Sequence, residues 1–171
     1  VLRDEIITRL SVTPDEAESL ARAHLRLGIW DPNGGVTTDN LRRTLDFFTE
    51  NGRYRIATAE NEERGLPLPV LYCEGRAMMR DRIQSLRHAN IYEPQRYRHI
   101  VSSVLIEEAG KNHVRSTSSF LVVRIMENGE TMLFASGRYV DRIVLAPEAQ
   151  YEERVVICDS RSFDTLLAIP L

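Results

Sequence analysis

The sequence predicts an α+β fold in which a strongly curved antiparallel sheet is closed on one face by helices, making a cone with an interior cavity. Helix signals gather in the first half of the 171-residue chain, and β-rich segments fill the part beyond Pro94. Those segments are each roughly double the usual five or six residues of a strand. Strands of that length bend and coil, so the sheet they build is curved rather than flat.

Thr13-Pro14-Asp15-Glu16 combines a capping Thr, Pro at the first helical position, acids facing the positive helix end and Glu three residues after the cap. A helix starts there. Its apolar stripe is Ala17, Leu20, Ala21, His24 and Leu27, and Gly28 offers a stop. The run Asp31-Pro32-Asn33-Gly34-Gly35 is a loop. Thr37 or Thr38 caps a second helix with Leu41, Leu45 and Phe48 on one face, ended by Asn51-Gly52. Residues 54–57 read as a first strand, and the polar stretch holding Gly65, Pro67 and Pro69 crosses the surface. A third helix is expected over 76–88, with Met79, Ile83 and Leu86 inward and Arg76, Arg80 and Arg87 on a solvated face.

The long strands are expected at 96–107, 114–126, 132–145 and 151–159, with Asn128-Gly129 as the hairpin turn between the second and third. No repeat or low-complexity tract interrupts the plan. One domain is expected over residues 1–171, with 1–40 as a helical N-terminal extension.

With 43% hydrophobic and 27% charged residues, the composition is that of a globular protein with a substantial core. A net charge of −3 leaves no basic footprint for nucleic acid. The apolar runs are too short to cross a bilayer, so no membrane partner is expected. Cys73 and Cys158 stand far apart with no neighbouring Cys or His. That is neither a zinc motif nor a secreted disulfide framework, and reduced, buried thiols in a cytoplasmic protein are the better reading. The sequence opens at Val1 without a charged-then-apolar leader.

Few residues offer chemistry. Neither cysteine opens a Cys-x-His or Cys-x-x-His pair of the kind that holds a His-ligated iron–sulfur cluster. His24, His88, His99 and His113 include no helical pair with an acid between them, although a triad assembled from distant residues is left for the fold to decide. No phosphate-binding glycine loop or nucleophile elbow is present, and Gly34-Gly35 follows no strand. The one candidate catalytic cluster is Tyr97, His99 and Asp141, residue types that perform proton transfer in apolar pockets. The competing reading makes His99 a hydrogen-bonded strand residue and His24 a core one.

From Glu74-Gly75-Arg76-Ala77-Met78-Met79-Arg80-Asp81-Arg82-Ile83, through Asn90-Ile91-Tyr92-Glu93, to Arg96-Tyr97-Arg98-His99, the chain resembles the small subunits of Rieske-type ring-hydroxylating dioxygenases. Phe120 to Met126, Phe134-Ala135-Ser136-Gly137, Glu153-Arg154-Val155-Val156 and Cys158-Asp159-Ser160 extend the likeness. The stretch 164–171 looks most like the terephthalate 1,2-dioxygenase branch, with anthranilate- and halobenzoate-type enzymes near. Residues 1–40, with an insertion-like 30–38, depart from it.

The resemblance implies a cystatin-like, nuclear-transport-factor-2-like (NTF2-like) cone and a bacterial, cytoplasmic setting. It implies a trimer of small subunits carrying three large ones, an α3β3 hexamer. The Rieske [2Fe–2S] cluster and mononuclear Fe(II) would then belong to the large subunit, with electrons brought from NADH by a separate reductase. This chain would hold no catalytic, metal or cofactor-binding residue. Arg96, Arg98 and His99 would form ion pairs across the assembly, or a surface network within one chain. Leu166, Leu167, Ile169 and Leu171 would be a subunit contact or a final strand in the chain's own core. The alternative is a free-standing cone isomerase or dehydratase using Asp141, His99 or Tyr97.

Overall fold

A computed structural model describes residues 41–88, 93–109, 112–145, 149–163, 167 and 171. The helix expected from Thr13 and the 1–40 extension lie outside the described residues. So do Leu166 and Ile169.

A 3₁₀ helix, Leu41–Phe47, leads directly into strand β1, Phe48–Thr58. Helix α1, Ala59–Glu63, strand β2, Leu71–Glu74, and helix α2, Gly75–His88, follow. The long strands are β3, Gln95–Ala109, β4, His113–Met126, β5, Thr131–Val144, and β6, Gln150–Cys158. All six join one open, curved sheet in the order β2-β1-β6-β5-β4-β3. Each long strand lies within a few residues of its expected bounds.

Three expectations change. The second helix does not continue to Asn51-Gly52; it ends at Phe47. Asn51 and Gly52 lie inside β1, where the register with β6 shifts between Phe48 and Arg53. The glycine serves close packing there rather than a helix stop: a Cβ on Gly52 would stand 3.0 Å from Phe48 Cβ and from the Thr49 carbonyl. The sheet is also not wholly antiparallel, because β1 pairs with β6 in parallel while every other neighbour is antiparallel. Finally, β2 is a strand the sequence concealed. Four residues framed by prolines and a helix leave too short a run for an alternation to register.

The expected helix at 76–88 is α2, and Met79, Ile83 and Leu86 are buried as predicted. Arg76, expected on a solvated face, instead donates from Nε to the Phe48 carbonyl at 2.7 Å and tethers α2 to the start of β1. On β4 the alternation is regular, with Val114, Ser116, Ser118, Phe120, Val122 and Arg124 buried. The Asn128-Gly129 turn joins β4 to β5: the Gly129 amide donates to Met126 O at 3.0 Å, and Met126 N donates to Glu130 O at 2.9 Å. Register shifts leave extra residues on β1, β3, β5 and β6, the bulges by which long strands bend. The core fills the concave side, with α2 and the 3₁₀ helix packed over β1.

Candidate functional site

The most strongly charged feature of the concave face is an ion pair. Asp141 on β5 stands directly across from Arg154 on β6. Arg154 shares parity with the buried Val156 and Cys158, and Asp141 with Tyr139 and Ile143, so both side chains point inward. The Arg154 guanidinium donates to the two Asp141 carboxylate oxygens at 2.9 and 2.8 Å. Side-chain exposures of 5% and 1% put the pair out of water. The guanidinium carbon also lies 4.2 Å from the centroids of both the Tyr139 and Tyr151 rings. Burial opposes the Arg154 charge, but the Asp141 carboxylate outweighs it and holds its proton more firmly than usual. Burial likewise pushes the Tyr54, Tyr139 and Tyr151 phenols upward, so they stay neutral.

This geometry takes apart the catalytic cluster proposed from sequence. Tyr97 on β3 pairs with Arg124 of β4, whereas Asp141 pairs with Ser116 of the same strand. Those β4 positions are eight residues apart, about 26 Å at the rise of a strand. Asp141 is committed to Arg154 and does not meet Tyr97 or His99. Tyr97 is fully buried in an aromatic cluster, 5.0 Å from the Phe134 ring and 6.3 Å from that of His99. Arg124 lies over Phe134 at 4.6 Å.

The cavity under α2 is lined mainly by apolar groups, among them Phe48, Ile56, Met79, Ile83 and Leu86. Its volume is about 40 Å³. A cavity that accepts benzene is on the order of 150 Å³, so a substituted aromatic ring does not fit without rearrangement.

Among the described residues, donors for an iron–sulfur cluster do not converge. Cys73 on β2 and Cys158 on β6 are free and buried, with β1 between them and four residues of register apart. Burial raises both thiols, Cys158 to about 12. No group of three or more His, Cys, Asp or Glu among the described residues is placed to hold a metal. No described helix is long and apolar enough to cross a membrane.

Of the residues expected at a subunit interface, Arg96 and Arg98 are exposed on edge strand β3 and His99 is half-buried behind them. Leu167 and Leu171 are buried in the core of this chain, although neither lies in a strand. The Leu171 backbone oxygen accepts a hydrogen bond from the Tyr54 hydroxyl at 2.8 Å, and the Leu167 carbonyl accepts one from Arg82 Nη2 at 3.2 Å. A single chain therefore does not offer these two as an exposed contact. Arg154 is the residue that sequence reasoning missed as the partner of Asp141. Its parity with Val156 and Cys158 was the available signal.

Residues 39–164 match the model of a family described as the ring hydroxylating beta subunit. The chain is 38% identical over 137 residues to subunit beta 1 of the terminal oxygenase component of terephthalate 1,2-dioxygenase from a Comamonas species. That match spans 80% of this chain and 89% of that one. Identity is also 38% over 139 residues with the anthranilate 1,2-dioxygenase small subunit of Burkholderia cepacia, covering 81% of this chain and 86% of that one. Among solved structures, one assigned as the beta subunit of an aromatic-ring-hydroxylating dioxygenase of Novosphingobium aromaticivorans superposes with a TM-score of 0.73. It is 29% identical, over 90% of this chain and 93% of that one.

Proposed function

This chain belongs to the ring hydroxylating beta subunit family, and from that premise we propose that it serves an oxygenase for an aromatic carboxylate, terephthalate first, in an α3β3 hexamer. Membership makes it the small, non-catalytic subunit of an aromatic-ring dioxygenase, part of an oxidoreductase complex and a partner of a large subunit. The Rieske cluster and the mononuclear iron reside in that large subunit.

Family membership carries the non-catalytic role, and the described part of the concave face accords with it. Among the described residues, the concave face holds Asp141 engaged by Arg154 and, under α2, a cavity of about 40 Å³. The isomerase or dehydratase reading loses its support with the separation of Asp141 from Tyr97 and His99. The aromatic carboxylate is favoured because the terephthalate and anthranilate relatives share that chemistry in their names, at the same identity. Electron supply from NADH through a separate reductase and a bacterial cytoplasmic setting belong to the same proposal. So does one domain over 1–171 with a helical 1–40 extension.

Co-expression tests it. The tagged chain is expected to capture its large subunit in equal numbers, and the pair, supplied with reductase and NADH, to dihydroxylate an aromatic acid. A screen of terephthalate, phthalate, anthranilate and benzoate ranks the substrates. Full turnover by the large subunit alone would reject the scaffold role, and turnover confined to uncharged aromatics would reject the carboxylate.

A further inference from the structure

The convex face of the sheet, away from the core, carries a recess of its own. Strand alternation turns Arg138, Val140 and Arg142 of β5 outward, because Tyr139, Asp141 and Ile143 are buried in the core. Register then fixes their neighbours. Arg138 stands between Ser119 of β4 and Ile157 of β6, Val140 between Thr117 and Val155, and Arg142 between Arg115 and Glu153. Arg55 of β1 lies beyond Val155. The recess has a volume of about 440 Å³; Val140, Val155 and Ile157 supply its apolar surface, and four arginines face Glu62 and Glu153 around them. Small-molecule sites run from about 300 to 1,000 Å³, so an aromatic ring has room here that the 40 Å³ cavity under α2 denies it.

Most of these charges are already matched. Arg55 donates to both Glu62 carboxylate oxygens at 2.8 and 3.1 Å. Arg115 pairs with Glu107 at 3.2 Å, Arg142 with Glu152 at 3.1 Å, and Glu153 with Arg53 at 3.5 Å. Arg138 is the exception: it is exposed and, among the described residues, makes no ion pair or hydrogen bond. Asp159, two residues beyond Ile157 on the same strand face, accepts from the Ser136 hydroxyl at 2.8 Å instead of from Arg138. Ser119, directly across from Arg138, is exposed too.

A guanidinium takes a carboxylate as a planar fork and stacks on aromatic faces, and apolar side chains beside it receive the hydrocarbon that bears the charge. We infer that this recess binds an aromatic carboxylate, with its carboxyl group on Arg138 and Ser119 and its ring on Val140, Val155 and Ile157. The matched pairs around it limit what else fits. Away from Arg138, further negative charge on a ligand meets Glu62, Glu107, Glu152 and Glu153 as well as their arginines. One carboxylate on one ring suits the recess best. The choice of an aromatic acid also rests on the functional reading above, and the site gives the small subunit its own contact with that class of compound.

The test titrates the full chain with sodium benzoate and with sodium acetate at constant ionic strength, read by calorimetry. Benzoate is expected to fill one saturable site and to bind at least tenfold tighter than acetate, which has the charge without the ring. Arg138→Gln is expected to weaken benzoate at least tenfold and Val140→Asp to abolish its binding, while Arg80→Gln on α2 leaves it unchanged. Circular dichroism checks that each variant is folded, and the exposed Arg138 position keeps the test decisive if Val140→Asp is not. Absence of saturable binding, acetate equal to benzoate, or full affinity in Arg138→Gln overturns the site. Turnover of aromatic acids by the co-expressed complex is scored separately. Turnover without benzoate binding by this chain rejects only the recess; benzoate binding without turnover of any aromatic acid rejects the functional reading and leaves the recess standing.

Discussion

Asp141 and Arg154 illustrate how one pair of residues decides what a concave face can do. Two charges taken out of water lose hydration worth several kcal/mol per ion, and their attraction offsets this only with good geometry. Here both carboxylate oxygens are engaged and the guanidinium faces are covered by Tyr139 and Tyr151. Removing one member strands the other. Asp141→Asn is expected to destabilise the chain by roughly 3–5 kcal/mol, the range for breaking a buried pair. The double replacement Asp141→Leu with Arg154→Met should cost much less, since it leaves no charge behind. Urea midpoints of wild type, single and double variants measure this. A single variant as stable as wild type would mean that water reaches the pair.

At the scale of elements, the β4–β5 hairpin shows what a sequence states openly. Gly129 has φ +88° with nothing within 4 Å of the position a Cβ would take, so only backbone strain forbids a side chain there. Gly129→Ala is therefore expected to cost about 1–2 kcal/mol, with the core untouched and near-ultraviolet circular dichroism unchanged. An unaltered denaturation midpoint would refute the strain. Asn128 cooperates by accepting the Glu130 amide on Oδ1 at 2.8 Å. This turn, the four long strands and the buried face of α2 were legible because each rests on local chemistry or on a period sustained over many residues. Asn51-Gly52 misled because the same dipeptide that stops a helix also fits a bulge, and only the packing of Gly52 against Phe48 distinguishes them. The parallel pairing of β1 with β6 joins residues about a hundred positions apart, which no local pattern records. The candidate site failed for a related reason. Tyr97, His99 and Asp141 have suitable chemistry, but register sets their distance, and register is a property of paired strands.

The molecule as a whole is held together by a core that contains ionisable groups in neutral form, and this gives it an alkaline limit. Tyr54, Tyr139 and Tyr151 are buried, and burial raises their phenols above the ordinary value of 10.0. Cys158, raised from 9.0 to about 12, behaves alike. Above pH 9 to 10 the unfolded chain releases these protons while the folded chain keeps them. The folded state then binds more protons, so stability must fall as pH rises. Each group contributes a slope of about 1.4 kcal/mol per pH unit between its unfolded and folded values. The unfolding free energy is thus expected to fall from about pH 9, where Cys158 begins to act, and more steeply above pH 10, where the three phenols join it. Urea denaturation at pH 8, 9, 10 and 11 measures the fall. Absorbance near 295 nm should show the phenolates of these three tyrosines appearing only with unfolding. Tyr139→Phe removes one of the protons, so its stability curve should descend less steeply above pH 10. Stability that stays level to pH 11, with all tyrosines titrating freely near 10, would mean that the interior is open to water. The burial of these side chains in the described core would then be wrong.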